Sequence, residues 1–249
     1  MASHLLIAAA LGRTVTLSNT ELPRDQHGEP LITGEADILI HGGAFYFYFN
    51  DWGACPGVDC CATSAGCASC CFDTFPNYTA GCASKTNGSD PYGLFHTVQV
   101  YRTLDFASWE NLGQALPLTA RPRGTEFRPH VLYDASSRRF VMWFEDRGTG
   151  LGSGYAVATA AAPEGPFTTL SCCDLQPPGS GRVGDYDLFV DDDGAAYHIR
   201  TGFDIVRLAP DLTNFSAHVS NFSGPGLEGP VSFKRDGVYY ILPGTGCCL

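Results

Sequence analysis

Three carboxylates and one arginine stand at the heads of four similar segments of the chain. Asp37 opens "DILIHGGAFYFYFNDWG", Arg128 opens "RPHVLYDASSRRFVMWFEDRG", Asp185 opens "DYDLFVDDDGAAYHIRTG" and Glu228 opens "EGPVSFKRDGVYYILPGTG". Carboxylates that are brought together raise the pKa of at least one member by mutual repulsion. Glycoside hydrolysis needs such a pair, because a protonated carboxyl donates to the leaving oxygen while an ionised one activates water.

The shared pattern of the four segments predicts the elements that position these heads. In each segment an apolar strand leads into a turn ("HGG", "DASSRR", "DDDG" or "KRDG"), and an aromatic strand such as 45–49 or 238–242 follows. These turns favour hairpins because Gly, Asn and Asp accept positive φ at low cost. More strand-like sequence follows the first three hairpins, which gives about four strands per unit, at intervals near those of propeller blades.

The composition agrees with an all-β chain and bears on its partners. The 249 residues include 29 Gly and 16 Pro, which suit short strands joined by tight turns. In a propeller the first strand of each blade lines the central axis, so Asp37, Asp185 and Glu228 are predicted to converge in one funnel.

A formal charge of -11 argues against nucleic acid or an anionic membrane as a partner, because both require a basic surface.

Several segments resemble glycoside hydrolase family 43, whose members are five-bladed β-propeller enzymes. "EADILIHGGAFYFYF" resembles the segment that carries the general base of the family. "GDYDLFVDDDGAAYHI" is similar to the segment of the pKa-tuning aspartate, and "EGPVSFKRDGVYYIL" to that of the general-acid glutamate. The surrounding "ELPRDQHGEPLITG", "FRPHVLYDASSRRFVMWFED" and "GPF" resemble the branch that contains exo-β-1,3-galactanases. The resemblance covers a propeller domain at 21–249, apart from a cysteine-rich insert at 54–90.

The resemblance implies that Asp37 is the base, that Asp185 tunes and orients the acid, and that Glu228 is the acid. It implies an inverting hydrolase of a polysaccharide or oligosaccharide, such as a β-1,3-galactan or an arabinan- or xylan-type glycan. Two departures leave the base open. Ile38 stands where the family usually has proline, and Glu35 stands where the galactanase-like branch often has histidine. Side chains alternate between the two faces of a strand, so Glu35 and Asp37 lie on the same face and alternation does not separate them. The base is therefore Asp37, Glu35 or neither.

A second set of residues is predicted to bind substrate. The acidic and basic members are candidates for contacts with sugar hydroxyls, although Glu126 and Arg128 have an equal alternative as a structural ion pair. The aromatic members could stack on a sugar ring, but such positions more often pack a blade core. The set consists of Glu35, Glu126, Arg128, Trp52 and Tyr186.

No cofactor is predicted. The function considered besides an enzyme is glycan binding without catalysis, or none in an inactive fragment. The acidic run 191–193 could bind a structural calcium ion, but an acidic hairpin turn is the favoured interpretation. Because a fold does not guarantee chemistry, the alternative function is a glycan-binding propeller or an inactive fragment.

The cysteines predict an oxidising compartment. Seven of the eleven fall between Cys55 and Cys82, where no His and no second Cys-x-x-Cys pair support a zinc site. Four glycosylation sequons begin at Asn77, Asn87, Asn214 and Asn221. We therefore expect a secreted glycoprotein with disulfides in the insert. The segment 1–20 contains a short apolar run and is a weak signal-peptide candidate.

The fourth unit stops after two strands, at "PGTGCCL". We therefore expect a propeller of the five-bladed type with about three and a half blades in this chain. The alternative is a four-bladed ring that is closed by residues 14–33.

The first testable prediction concerns the cysteines. Mass spectrometry under non-reducing conditions should find most of them in disulfides and no stoichiometric metal, because the cysteines of the insert lack the paired spacing of a zinc site. Recovery of one zinc per chain together with free thiols would overturn both the disulfide and the secretion hypothesis.

Overall fold

The fold consists of antiparallel β-sheets that follow one another along the chain. The computed structural model describes residues 21–31, 35–51, 97–117, 119–120, 124–148, 152–179, 183–221 and 227–245. Within these ranges the chain forms fourteen strands in four sheets. None of the described residues forms a helix that is long and apolar enough to cross a membrane.

The first three sheets each contain four strands in chain order. The first sheet comprises β1 (Ala36–His41), β2 (Ala44–Asp51), β3 (Thr97–Thr103) and β4 (Glu110–Leu116). The second comprises β5 (Gly124–Asp134), β6 (Arg139–Gly148), β7 (Gly152–Ala160) and β8 (Thr168–Leu175). The third comprises β9 (Tyr186–Val190), β10 (Ala196–Arg200), β11 (Asp204–Leu208) and β12 (Phe215–Asn221). The fourth contains β13 (Leu227–Arg235) and β14 (Val238–Thr245).

All four predicted hairpins form, and their turns have the expected backbone conformation. Gly42 and Gly43 have φ of 58° and 83°, and Asp236 and Gly237 have φ of 51° and 77°. A two-residue turn with positive φ at both positions matches the right-handed twist of the flanking strands. Each turn thereby sets the register of its hairpin, and with it the strand face on which the charged heads lie.

Apolar cores fill the space between the first and second sheets and the space between the second and third. The core between the first two sheets consists of buried residues that include Tyr48, Val100, Met142, Phe144 and Phe167. The next core contains Trp143, which is fully buried and donates a hydrogen bond from its indole nitrogen to the carbonyl of Leu212 at 2.7 Å. The aromatic strands β2 and β6 of the predicted pattern are therefore packing strands.

The inner strands of successive sheets are neighbours around a common axis. β1 packs against β5, β5 against β9, and β9 against β13. The predicted heads lie on or beside these four strands, since Arg128 and Glu228 are within β5 and β13, Asp37 is within β1, and Asp185 precedes β9. The described strands make three sheets of four and one of two, so the all-β propeller with about three and a half blades is confirmed.

The fourth sheet has one covered and one exposed face. Val231, Phe233, Val238, Tyr240 and Leu242 are paired across β13 and β14 and have exposed fractions of 40–57%. A cavity of about 680 Å³ lies between this sheet and the exposed residues Ile38 and Ile40 of β1. The described part of the chain leaves the two apolar faces on either side of this cavity uncovered.

Residues 21–31, which are the described part of the predicted closing segment 14–33, do not close the ring. They lie against the first sheet, where Asp25 forms a bridge with Trp109 and the side chain of Gln26 accepts a hydrogen bond from Asn111 N at 2.8 Å. Leu31 is buried in the same cluster as Trp109. Apolar burial on the first sheet therefore determines the position of this segment.

His198 of β10 lies within the core of the third sheet as a neutral imidazole. It is fully buried, its ring stacks on Tyr186 with a centroid separation of 4.5 Å, and neither ring nitrogen has a hydrogen-bond partner among the described residues. Burial lowers the pKa of His198 well below its usual value.

This burial predicts a loss of stability in acid. Because the pKa is depressed in the folded state, the unfolded state binds an extra proton below its own pKa of about 6.5. The free energy of unfolding should therefore fall by up to about 1.4 kcal/mol per pH unit below that value. Chemical denaturation between pH 7 and 5 should show a shallower fall for His198→Phe and an unchanged fall for the exposed control His27→Asn. Equal slopes in all three proteins would contradict the assignment.

Candidate active site

Arg128 is the centre of a charge cluster at the head of the inner strands. Its Nη2 lies 2.6 Å from Glu35 Oε1 and 2.8 Å from Asp185 Oδ1, and its Nη1 lies 3.6 Å from Glu145 Oε2. Glu145 is fully buried on the neighbouring strand β6. One guanidinium therefore balances three carboxylates that come from different parts of the chain.

The backbone of Arg128 is strained into this position. Its φ is 53°, in the left-handed region that residues other than Gly rarely adopt. The Tyr186 hydroxyl donates a hydrogen bond to the carbonyl oxygen of Arg128 at 2.7 Å. Such strain persists only where the surrounding structure compensates for it, and it concentrates at functional sites.

Glu35 is poised to exchange a proton near neutral pH. Burial raises its pKa to about 7 against the opposing effect of Arg128, and the carboxylates of Asp185 and Glu145 raise it further. The backbone holds the residue in place, because Asn50 N donates to the carbonyl of Glu35 at 3.1 Å. A carboxyl with such a pKa is suited to acid–base chemistry near pH 7.

Asp185 connects this cluster to the strand that carries Glu228. Its Oδ1 contacts Arg128, and its Oδ2 accepts a hydrogen bond from Gly229 N at 2.8 Å. Gly229 follows Glu228 directly and has φ of 56°, at a register shift in the β13–β14 hairpin. Asp185 therefore holds the backbone next to Glu228.

A second layer of polar side chains lies two residues further along the inner strands. Asp37 Oδ2 and Asp187 Oδ1 are each 3.5 Å from His130 Nδ1. The other oxygen of Asp187 accepts hydrogen bonds from Ser232 N and Ser232 Oγ, both at 2.5 Å. Asp37 therefore belongs to a different layer from Asp185.

The funnel contains a cavity of about 400 Å³ that both layers line. Glu35 and Asp37 enter it from the first sheet, Arg128 and His130 from the second, and Asp187 from the third. Gly229, Pro230 and Val231 complete the wall from β13. Of the predicted strand heads, Asp37 and Arg128 line this cavity. Asp185 contacts the lining residues Arg128 and Gly229, and Glu228 directly precedes Gly229.

The other predicted site residues have different outcomes. Tyr186 is 1% exposed and its ring is stacked on His198, which favours the core-packing alternative of the prediction. The residue also lines the cavity. Glu126 lies in β5, opposite Asp146. Trp52 and the insert at 54–90 lie outside the described residues, as do residues 1–20.

Sequence reasoning missed three residues of the site: Glu145, His130 and Asp187. Two of them carried a usable signal. His130 follows Arg128, and Asp187 follows Asp185, at the spacing that puts side chains on one face of a strand. Glu145 lies on β6, an aromatic strand whose residue types indicate only packing.

The acidic turn after β9 is engaged in ion pairs. Asp191 accepts hydrogen bonds from Lys234 Nζ at 2.7 Å and from the Tyr239 hydroxyl at 2.6 Å, and Asp192 lies 2.8 Å from Lys234 Nζ. These partners lower the pKa of Asp191 to about 2. The turn therefore links the third sheet to the fourth. No group of three His, Cys, Asp or Glu residues in the described ranges is arranged to hold a metal ion.

Comparison with solved structures shows the same fold in known enzymes. An exo-β-1,3-galactanase from Clostridium thermocellum superposes with a TM-score of 0.67 and is 26% identical, over 93% of this chain and 46% of that one. An exo-β-1,3-galactanase from Phanerochaete chrysosporium, solved with β-1,3-galactotriose, has a TM-score of 0.66 and 24% identity, over 90% of this chain and 46% of that one. Two other similar structures are family 43 β-1,3-galactosidases.

Sequence comparison points the same way over a shorter region. A β-D-galactofuranosidase of Aspergillus niger is 31% identical over 108 residues, which are 40% of this chain and 31% of that protein. No protein-family model matches the sequence. The chain spans less than half the length of these two galactanases and of the galactofuranosidase. Together the comparisons confirm the resemblance to the family 43 propellers and to their exo-β-1,3-galactanase branch.

Arg128→Gln tests the charge cluster. Removal of the guanidinium should lower the free energy of unfolding by about 3 kcal/mol, because it leaves buried carboxylates without a counter-charge. It should also raise the pKa of Glu35 above about 7, since Arg128 lowers it in the native protein. Denaturation and a ¹³C NMR titration of the Glu carboxyls measure the two effects.

Arg102→Gln is the matched control. Arg102 pairs with Glu110, and both side chains are more than 40% exposed, so its loss should cost less than about 1 kcal/mol. Equal costs for the two substitutions, with an unchanged Glu35 titration, would refute the central role of Arg128.

Proposed function

We propose that the protein is a glycoside hydrolase that cleaves β-1,3-linked galactan with inversion of the anomeric centre. The observation that carries the proposal is the double contact of Asp185, which joins Arg128 to the backbone of Gly229 beside Glu228. The likeness to galactan-degrading propellers supports the substrate class. A neutral polysaccharide also suits a chain with a formal charge of -11.

Glu228 is assigned as the general acid. Its strand is held by Asp185, so its carboxyl can be presented to the leaving oxygen of the scissile bond. In the reaction, Glu228 donates its proton to that oxygen while the bond to the anomeric carbon breaks. Asp185 is a positioning residue in this scheme, because it acts through the backbone next to the acid.

Asp37 is assigned as the general base. Glu35 is engaged by Arg128 at 2.6 Å, and burial raises its pKa to about 7, so much of it is protonated at neutral pH. Asp37 has no contact with Arg128 among those described; it lines the same cavity as Glu35, and the two side chains are similarly exposed, at 27% and 30%. The base takes a proton from water as the water oxygen attacks the anomeric carbon from the face opposite the leaving group. Glu35 then serves to bind substrate beside Arg128.

We also propose that the protein is secreted. The described sequon at Asn214 supports this, because Asn214 is exposed on the third sheet and accessible to glycosylation.

Glu228→Gln tests the acid. The amide keeps the shape of the side chain but has no proton to donate, so hydrolysis of unactivated β-1,3-galactan should fall by about 100-fold or more while binding changes little. Reducing-sugar release measures the first effect and calorimetry with β-1,3-galactotriose the second. Glu110→Gln, at an exposed position on β4, should retain full activity. An active Glu228→Gln protein would refute the assignment, and binding without turnover in the native protein would favour the glycan-binding alternative.

Azide distinguishes the two candidate bases. Azide attacks the anomeric carbon without base assistance, so it should restore turnover of an activated galactoside by Asp37→Asn and form a galactosyl azide of inverted configuration. Glu35→Gln should weaken binding and respond little to azide. NMR of the product identifies its anomeric configuration. Rescue of Glu35→Gln alone would transfer the base role to Glu35.

A further inference from the structure

The second polar layer forms a continuous chain of contacts across all four sheets. It runs from Asp37 on β1 to His130 on β5, then to Asp187 on β9 and Ser232 on β13. Each of these strands is the inner strand of a different sheet. The contacts therefore join inner strands that belong to different sheets.

His130 occupies the middle of this chain. The residue is 8% exposed, and its ring lies against Tyr186 with a centroid separation of 4.8 Å. Its Nδ1 is 3.5 Å from a carboxylate oxygen on either side and has no closer hydrogen-bond partner among the described residues. A single N–H at this position can serve either carboxylate, and a protonated ring attracts both.

One end of the chain is fixed and the other faces the cavity. Asp187 is anchored by two hydrogen bonds from Ser232, which lies on the same strand as the proposed acid, Glu228. Asp37, at the other end, lines the funnel with a side chain that is 27% exposed. The position of Asp37 therefore depends on that of β13, through His130 and Asp187.

We propose that His130 is a positioning residue that holds Asp37 against Asp187 and thereby sets the separation between the base and Glu228. The inference rests on the proposed function, because it assigns the way in which that site keeps its two carboxyls apart. Inverting hydrolases require a separation of about 6.5–9.5 Å, which leaves room for the attacking water. A displacement of about 1 Å is enough to reduce the rate about 100-fold.

The charges around His130 support this role. Burial raises the pKa of Asp187, and His130 opposes that rise. Asp37 and Asp187 face the ring from β1 and β9. A positive charge on His130 lowers the pKa of His198 on β10. Loss of the imidazole should therefore raise the pKa of Asp187 further and release Asp37.

Two substitutions of His130 separate positioning from packing. His130→Asn places an amide nitrogen near the position of Nδ1 and retains a neutral donor, whereas His130→Leu fills the space without one. We expect kcat on β-1,3-galactan to fall about 100-fold in His130→Leu with little change in KM, and His130→Asn to recover part of the loss. Exposed His27→Asn is the matched control and should behave as the native protein does.

A titration provides a measure that does not depend on turnover. In ¹³C NMR of labelled Asp, the carboxyl of Asp187 should titrate at higher pH in both His130 variants, because His130 lowers its pKa in the native protein. The chemical shift of the Asp37 carboxyl should change because its contact with the imidazole is lost. An unmoved Asp187 titration with an unchanged Asp37 chemical shift would overturn the proposal, and so would a fall in kcat that is equal in the Asn and Leu variants. A native protein without hydrolytic activity whose carboxyls still respond to His130 would refute the proposed function and leave the positioning intact.

Discussion

The site depends on the balance between one guanidinium and the carboxylates around it. Burial of three acidic side chains in one funnel is unfavourable without a counter-charge, and Arg128 contacts all three. The backbone of Arg128 lies in the left-handed region, which is strained for a residue other than Gly. The Tyr186 hydroxyl, which is held by the apolar core between the second and third sheets, keeps that backbone in place. The packing of the blades therefore stabilises a charge arrangement that would not persist in an isolated hairpin.

The same principle explains how the fourth sheet is attached. A two-stranded sheet is marginally stable alone, and the outward face of this one is apolar and exposed. Its other face is joined to the third sheet by three successive carboxylates: Asp185 to Gly229 N, Asp187 to Ser232, and Asp191 to Lys234. Two of these contacts belong to the candidate site. Attachment of the sheet and orientation of the proposed acid are thus performed by the same side chains.

The two polar layers divide the chemistry between them. The first, around Arg128, contains a carboxyl with a pKa of about 7 and the tether to Glu228. The second, around His130, contains the proposed base, Asp37, which lines the cavity. Because both layers use alternate residues of the same strands, a one-residue slip of register would remove both from the funnel together. The tight turns that set register are therefore part of the functional design.

Local sequence was sufficient to determine the hairpins and their charged heads. Turns such as Asp236–Gly237 have an intrinsic preference for positive φ, and the alternation of each strand determines which side chains share a face. The repeated pattern therefore predicted the sheets, the funnel, and the place of Arg128, Asp185 and Glu228 beside it.

Only the tertiary structure decided how these heads are paired. Alternation places Glu35 and Asp37 on one face, but which of them meets Arg128 depends on how far neighbouring sheets are offset along the axis. That offset follows from the packing between the sheets. It pairs Glu35 with Arg128 and Asp37 with His130, and it brings in Glu145 from a strand whose sequence indicates only core. It also buries Tyr186, whose residue type alone is compatible with a sugar platform. Contacts between sheets join residues that are distant in the chain, so no local pattern encodes them.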